Sequence, residues 1–345
     1  MKLAFFWRGL HVFFKNLFGF VQPVTAKFEC TMRCNAECVF CNVWRLRHLY
    51  PDDLDTGKCL RVVDAADELG VVLIKFTGGE PLLRDDLGTL ISHASDLGLT
   101  TIVTTNGILL EEKIGELCDL DRLEVSLDGP RGIHNSLRNI DAFDDILRGI
   151  EVATDAGFDP VINMTVCTKN MDHLDEMVEL AEGIGCRLNV SPIEIIPFDG
   201  FELSDARELT PDLKVFMKKA RELKSRYHGI VGFKPEFTEM GIKGGFEKSG
   251  FQCKIADLML NIKPDGAIQL PCGLYQVKKI SLLDESYIDE WRSEETREIQ
   301  RRCGTYPFCS DCLVAGSYEG SLPAYPLKML KEKGEILANI LKSAI

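Results

Sequence analysis

The stretch DTGKCLRVVDAADELGVVLIKFTGGEP, residues Asp55–Pro81, contains one complete unit of the fold. Its first half, Asp55–Leu69, has a helical pattern and ends at Gly70, a residue suited to a left-handed helix C-cap. An apolar, β-branched run, Val71–Phe76, follows and reads as a buried strand. A tight Gly-Gly-Glu-Pro turn then closes the unit. The same unit recurs along the chain. Strands are expected at Val24–Phe28, Thr100–Thr104, Leu123–Ser126, Val161–Val166 and Arg187–Ser191. Helices are expected at Leu87–Leu97, Glu111–Leu117, Ala142–Ala156 and Met171–Ile184, and Gly98, Gly157 and Gly185 mark further helix ends. Six strand–helix units in register predict a parallel sheet with right-handed crossovers and functional residues at the strands' C-terminal ends. Six are too few to close an eight-stranded barrel. The expected α/β fold is therefore a partial, splayed (β/α)6 TIM-like barrel over residues 23–228.

Beyond it, residues 229–252 are rich in glycine and read as a connection between domains. Neither GxxxxGK[ST] nor GxGxxG is present there, so no phosphate loop is expected. Residues 253–325 form a small α+β unit, with strands Met259–Ile262 and Ala267–Leu270 joined by the turn Pro264-Asp265-Gly266. Residues 326–345 read as a closing amphipathic helix, with Leu327, Leu330, Ile336, Leu337, Ile340 and Leu341 on its apolar side.

The 345 residues are 45% hydrophobic and 27% charged, the make-up of a globular chain with a large core. A formal net charge of −13 argues against a nucleic-acid backbone as the main partner. The N-terminal 22 residues depart from that balance. They carry Lys2, Arg8 and Lys15 among Phe5, Phe6, Trp7, Phe13, Phe14, Phe18 and Phe20, with no acid before Glu29. At 100° per residue, Arg8, His11 and Lys15 form one stripe and the aromatics cover the rest. The run is too interrupted to span a bilayer and has no small-residue cleavage site, so it reads as a helix lying in a membrane interface. A helix packed across the open bottom of the barrel is the alternative. Thirteen cysteines in a long chain without a cleavable signal point to metal or cluster ligands in a reducing compartment, so the cytoplasm is the expected location, with the membrane's inner face as the surface met.

Two cysteine groups carry chemistry. The first is Cys34-Asn-Ala-Glu-Cys38-Val-Phe-Cys41, directly after the first strand. Three thiolates on one short loop can each hold one iron of a 4Fe–4S cluster and leave the fourth iron open. Zinc with His48 as fourth ligand would use the same spacing. The loops after the later strands supply the context. Gly78-Gly79-Glu80-Pro81 follows the second strand, Thr105-Asn106-Gly107 the third and Ser126-Leu127-Asp128-Gly129-Pro130 the fourth. Arg138 lies in Ile133-His134-Asn135-Ser136-Leu137-Arg138-Asn139.

In these motifs the chain resembles the radical S-adenosylmethionine (SAM) superfamily. Cys34, Cys38 and Cys41 match the family's CxxxCxΦC motif, with Phe40 as the aromatic residue. The resemblance implies that Gly78, Gly79 and Glu80 receive the ammonium of SAM, that Thr105, Asn106, Ser126 and Asp128 line its site, and that Arg138 meets its carboxylate. Asn135 and Asn139 stand where the family usually has Asp and Gly. SAM presents both an amine and a carboxylate, and Glu80 and Arg138 form a pair of matching charge. The implied reaction is one-electron cleavage of SAM to a 5′-deoxyadenosyl radical that abstracts a substrate hydrogen. It implies anaerobic chemistry and an electron donor such as ferredoxin or flavodoxin.

The second group is Cys253, Cys272, Cys303, Cys309 and Cys312. Together with the hairpin it resembles the SPASM/twitch extension of the same enzymes, which implies one auxiliary 4Fe–4S cluster. The expected ligands are Cys253, Cys272, Cys309 and Cys312, with Cys303 as substitute or bystander; structural zinc would suit four thiolates equally. Cys30, Cys59, Cys118, Cys167 and Cys186 read as core or lining thiols. The aromatic N-terminus favours a hydrophobic substrate, a lipid or isoprenoid. Peptide modification and tetrapyrrole side-chain chemistry are the alternatives within the family, and a zinc-binding interaction module is the non-enzymatic one.

Overall fold

The computed structural model describes residue 15, residues 22–193, 208–233, 235–244 and 252–309, and residues 312 and 321. The helices expected over 1–22 and 326–345 lie outside these residues, apart from Lys15 and Gln22. One ten-stranded sheet organises the chain, in the order β10-β9-β8-β1-β2-β3-β4-β5-β6-β7. The first six strands are β1 Thr25–Thr31, β2 Leu73–Gly78, β3 Thr100–Thr105, β4 Arg122–Ser126, β5 Val161–Val166 and β6 Arg187–Pro192. All pair in parallel and in sequence order. A short β7, Val231–Gly232, adds to β6 in the same sense. The sheet stays open between its β10 and β7 edges, so the fold is a partial barrel.

The crossovers use helices α1 Thr56–Glu68, α2 Leu87–Asp96, α3 Arg131–Arg138, α4 Phe143–Asp155, α5 Leu174–Gly183 and α6 Leu213–Arg226. Gly70, Gly98, Gly157 and Gly185 have φ of 96°, 79°, 91° and 71°, the left-handed conformation expected of helix ends that L side chains resist. The helix expected at Glu111–Leu117 is shorter, an α-turn at Leu110–Lys113 running into a 3-10 turn at Ile114–Glu116. Helix α3 has no counterpart in the sequence reading, because Arg131–Arg138 is only eight residues long and its apolar side is only Ile133 and Leu137 beside the buried His134.

The cysteine-bearing segment does not form a sheet of its own. Strand β8, Met259–Ile262, pairs in parallel with β1 from Thr25↔Met259 to Phe28↔Ile262. The turn at Pro264-Asp265-Gly266, with Gly266 at φ 78°, leads into antiparallel β9, Ala267–Pro271. A third strand, β10 Gln276–Ser281, completes a meander that the sequence reading did not contain. The C-terminal unit therefore lengthens the barrel wall beside β1.

Strand alternation splits the side chains between two faces. Ala26, Phe28, Ile74, Phe76, Val103, Val125, Ile162, Leu188, Leu260 and Ile262 are buried in one core with Val62, Ala66, Leu90, Ile91, Ile146 and Met177 of the helices. The alternate positions form the helix-free face, whose middle is polar: Lys27 and Glu29 on β1, Lys75 on β2, Thr104 on β3, Glu124 on β4, Asn163 on β5 and Asn261 on β8, with Leu73, Ile102, Val161 and Met259 apolar near the strands' starts.

Candidate active site

The loop Cys34–Cys41 follows β1 and is fastened from three sides. Gly79 N donates to Thr31 O at 2.7 Å and Glu80 N to Arg33 O at 2.8 Å. These bonds bring the β2 loop so close that a Cβ on Gly79 would lie 2.0 Å from Arg33 O, and one on Gly78 2.2 Å from Thr31 O. No side chain fits at either place, which is the physical reason for the glycine pair. From the third loop, Asn106 Nδ2 donates to Asn35 Oδ1 at 2.7 Å. From α3, Leu137 O accepts from Val39 N at 3.0 Å. Trp44 Nε1 adds a bond to Cys38 O at 3.1 Å.

Glu80 is buried and its carboxylate is the knot of the second and third loops. Oε1 accepts from Leu82 N at 3.0 Å and Thr105 Oγ1 at 2.7 Å, and Oε2 from Asn106 N at 2.7 Å. Burial pushes its pKa up, while these three donors favour the ionised form. Oε2 keeps lone-pair capacity for one more donor.

Asp128 is buried on both oxygens. Oδ1 accepts from Thr165 N at 2.8 Å and Oδ2 from Arg138 Nε at 2.5 Å. Its backbone N–H donates to His134 Nδ1 at 3.1 Å, which places the proton of that neutral ring on Nε2. Burial lowers the His134 pKa to about 4. The direct partner of Asp128 is thus Arg138. Arg138 in turn stacks over Phe40, 5.3 Å from the ring centroid, and brings Nη1 to 3.8 Å from Cys38 Sγ. Ser126 shares the helix-free side of β4 with Glu124.

The two family departures have local explanations. Asn139 caps α3 at φ 53°, a conformation open to glycine and, next best, to asparagine. Asn135 accepts from Phe143 N at 3.2 Å at the start of α4 and donates to Asp141 at 2.5 Å.

The three thiols are close enough to influence one another, and Arg138 favours the thiolate of each. Burial dominates, raising all three and taking Cys38 to about 11. Metal must therefore displace protons to bind. The donor set fits a 4Fe–4S cluster: three sulfurs on a clamped loop with a cation alongside. His48 is exposed, and among the described residues it is not gathered with the thiols into a group of three metal-binding side chains, so it does not join them as a zinc ligand. Three thiolates that bind separate irons need not meet at one point, and among the described residues no three His, Cys, Asp or Glu side chains do.

The second group also gathers. Cys253 precedes β8, Cys272 follows β9, and Cys303 and Cys309 follow helix α7, Glu294–Arg301. The Cys303 thiol donates to Cys253, holding Cys253 toward the thiolate and raising its own pKa. Ser321 Oγ also reaches Cys253 Sγ at 3.8 Å. Cys309 feels both Cys253 and Cys272, and Cys312 N donates to Cys309 O at 3.2 Å. Cys303 therefore sits inside this group. Cys30, Cys59, Cys167 and Cys186 are buried, while Cys118 is exposed rather than in the core. A cleft of about 420 Å³ lined by Arg122, Asp159 and Arg187 lies at the opposite, N-terminal ends of β4–β6.

Two observations bear on the remaining expectations. Among the described residues no helix is long and apolar enough to cross a membrane. The middle of the helix-free face, among the described residues, carries charged and amide side chains, which does not support the expected lipid or isoprenoid.

Comparison with known proteins agrees with this geometry. Residues 28–181 match the radical SAM superfamily. A protein named AdoMet-dependent heme synthase from Methanosarcina barkeri is 26% identical over 84% of this chain and 91% of its own length. One named probable GTP 3′,8-cyclase from Methanopyrus kandleri is 37% identical over 53% of this chain and 61% of its own. The chain spans about half the length, 42–61%, of the curated relatives it matches at 32–37% identity. Among solved structures, Streptococcus suis SuiB bound to S-adenosylmethionine superposes with a TM-score of 0.63 over 85% of this chain and 72% of its own, at 17% identity, a likeness of fold. With its matched domain, its open parallel barrel and its clamped cysteine loop, this chain carries a radical SAM domain at residues 28–181, a domain whose cofactors are a 4Fe–4S cluster and SAM.

Proposed function

We propose that the chain is a radical SAM enzyme in which Cys34, Cys38 and Cys41 hold the SAM-binding cluster. The observation that carries this reading is the threefold clamp on the cysteine loop, with Arg138 against Cys38. When bound, cluster and SAM together supply a 5′-deoxyadenosyl radical able to take a hydrogen atom from a carbon. The protein's own residues provide placement. The spare lone pair of Glu80 Oε2 suits the SAM ammonium, and the Arg138 guanidinium, held by Asp128, suits its carboxylate. Ser126, Thr105 and Asn106 border the same space at the strands' C-terminal ends.

The substrate reading follows the polarity of the helix-free face. Tetrapyrrole side-chain chemistry is the alternative that a polar face favours, and the chain-long likeness to a protein named as a heme synthase supports it. The second cysteine group is proposed to hold an auxiliary cluster, with Cys303 joining Cys253, Cys272, Cys309 and Cys312 as a candidate ligand.

The test is Cys38→Ala in anaerobically reconstituted protein. The expected result is loss of 5′-deoxyadenosine formation from SAM under reducing conditions, with iron retained at the second group. Undiminished cleavage would remove the assignment.

A further inference from the structure

Among the described residues, the helix-free face holds more positive than negative charge below the cluster loop. Lys27, Lys75, Lys263 and Arg122 stand against Glu29 and Glu124. Lys75 Nζ lies 2.8 Å from Glu124, and Arg122 Nη2 lies 3.1 Å from it. Lys263 takes Glu29 Oε2 at 2.8 Å, so Lys27 reaches Glu29 Oε1 only at 3.7 Å, beyond hydrogen-bond length. Beside Lys27, its register partner on β8 is Asn261. Asn261 lies between Leu260 and Ile262, whose side chains enter the core, so its amide belongs to the helix-free face. It is 7% exposed, and its Nδ2 has no acceptor. Its oxygen lies against Gly273, where a Cβ would stand 2.9 Å away. A buried donor without a partner costs about 1–3 kcal/mol unless a ligand satisfies it.

We propose that Lys27 and Asn261, with Lys263 behind them, form a subsite for a carboxylate group of the substrate. This rests on the reading of the chain as an enzyme that works on this face. Neighbouring strands are about 4.8 Å apart, so an ammonium and an amide on register partners can each take one oxygen of a single carboxylate. The same strand that carries Lys27 ends at Thr31, about 13 Å further along at about 3.3 Å per residue, and the cluster loop follows. A molecule anchored at Lys27 by its acid group would direct its far end toward the radical. The substrate class is thus a carboxylic acid that presents its reacting carbon roughly ten ångströms or more from the anchoring carboxylate.

Lysine acylation read by mass spectrometry on the reconstituted full chain tests this. Acetylation of Lys27, whose side chain is 40% exposed, is followed with glutarate, glutaramide or inorganic phosphate added. Lys58, 49% exposed on α1, is the internal control. Saturating glutarate should slow Lys27 about threefold or more by masking its ammonium, and glutaramide and phosphate should not. Equal slowing by glutaramide or phosphate overturns the carboxylate assignment, and no slowing by glutarate overturns the subsite. In Asn261→Leu the same protection should require about tenfold more glutarate, and an unchanged curve removes Asn261 from the subsite. SAM cleavage is scored separately, so a chain that protects Lys27 without cleaving SAM refutes the enzymatic reading and leaves the subsite standing.

Discussion

Replacing Asp128 with asparagine takes one charge from a carboxylate with no solvent exposure and keeps its shape. The amide oxygen of the new side chain can still accept from Thr165 N, but then the amide turns an N–H toward Arg138 Nε, donor against donor. Arg138, whose side chain is only 13% exposed, would keep Cys38 Sγ at 3.8 Å and the Phe40 ring as its contacts. Breaking a buried ion pair from one side costs about 3–5 kcal/mol, because a charge is left without its counterion. With a urea m-value near the upper end of the usual range, about 3 kcal/mol/M, the midpoint should fall by about 1–1.7 M. Urea unfolding followed by circular dichroism on the iron-free protein measures it. The double variant Asp128→Asn/Arg138→Met should recover much of that loss, since no unpaired charge remains, giving a coupling of about 2–4 kcal/mol. A midpoint shift below about 0.3 M, or strictly additive single and double variants, would refute the claim that Asp128 exists to hold Arg138 against the cluster loop.

Glu124 gives a pH-dependent counterpart. Burial opposes its charge, but Lys75, Arg122 and Thr104 prevail and lower its pKa from 4.5 to about 2. A depressed carboxylate stabilises the fold fully above pH 4.5 and loses that contribution as pH falls toward 2, about 3 kcal/mol in all. The stability advantage of wild type over Glu124→Gln should therefore be level above about pH 5 and shrink below it; an advantage that ignores pH contradicts an ionised Glu124. Gly79→Ala forces a Cβ against Arg33 O and must displace the cluster loop, so iron assays should show a loss of about four irons per chain. Full iron loading in that variant would mean the clamp does not shape the loop. Replacing Cys309 and Cys312 together should remove about half the iron and leave SAM cleavage measurable, since the two sites are served by separate loops. Loss of all cleavage, or unchanged iron, would contradict two independent sites.

Much of the barrel was legible because its signals are local. Strand β5 occupies the expected Val161–Val166, and the glycines at 70, 98, 157 and 185 adopt the left-handed φ that their places after helices require. The motif loops were legible for the same reason, each being a short run of special residues after a strand. Helix α3 escaped, since eight residues with one apolar pair, Ile133 and Leu137, are too short a run to read a period from. Strand β10 escaped as well: Gln276–Ser281 is polar at an edge, and its partnership with β9 is what makes it a strand.

From its sequence alone this chain determined its parallel strand–helix units, its two cysteine groups and the kind of chemistry the first group serves, because turn geometry, hydrophobic period and ligand spacing are set over a few residues. Tertiary structure alone decided the partners. It placed β8 against β1, brought Cys303 to Cys253, gave Asp128 to Arg138 rather than to solvent, and gathered Lys27, Lys263 and Asn261 on one polar face where aromatic N-terminal residues had suggested an apolar substrate. The gathering of that face depends on register between β1 and β8, more than two hundred residues apart. Register is fixed only when the whole sheet forms, and with it which charges are left to face a ligand.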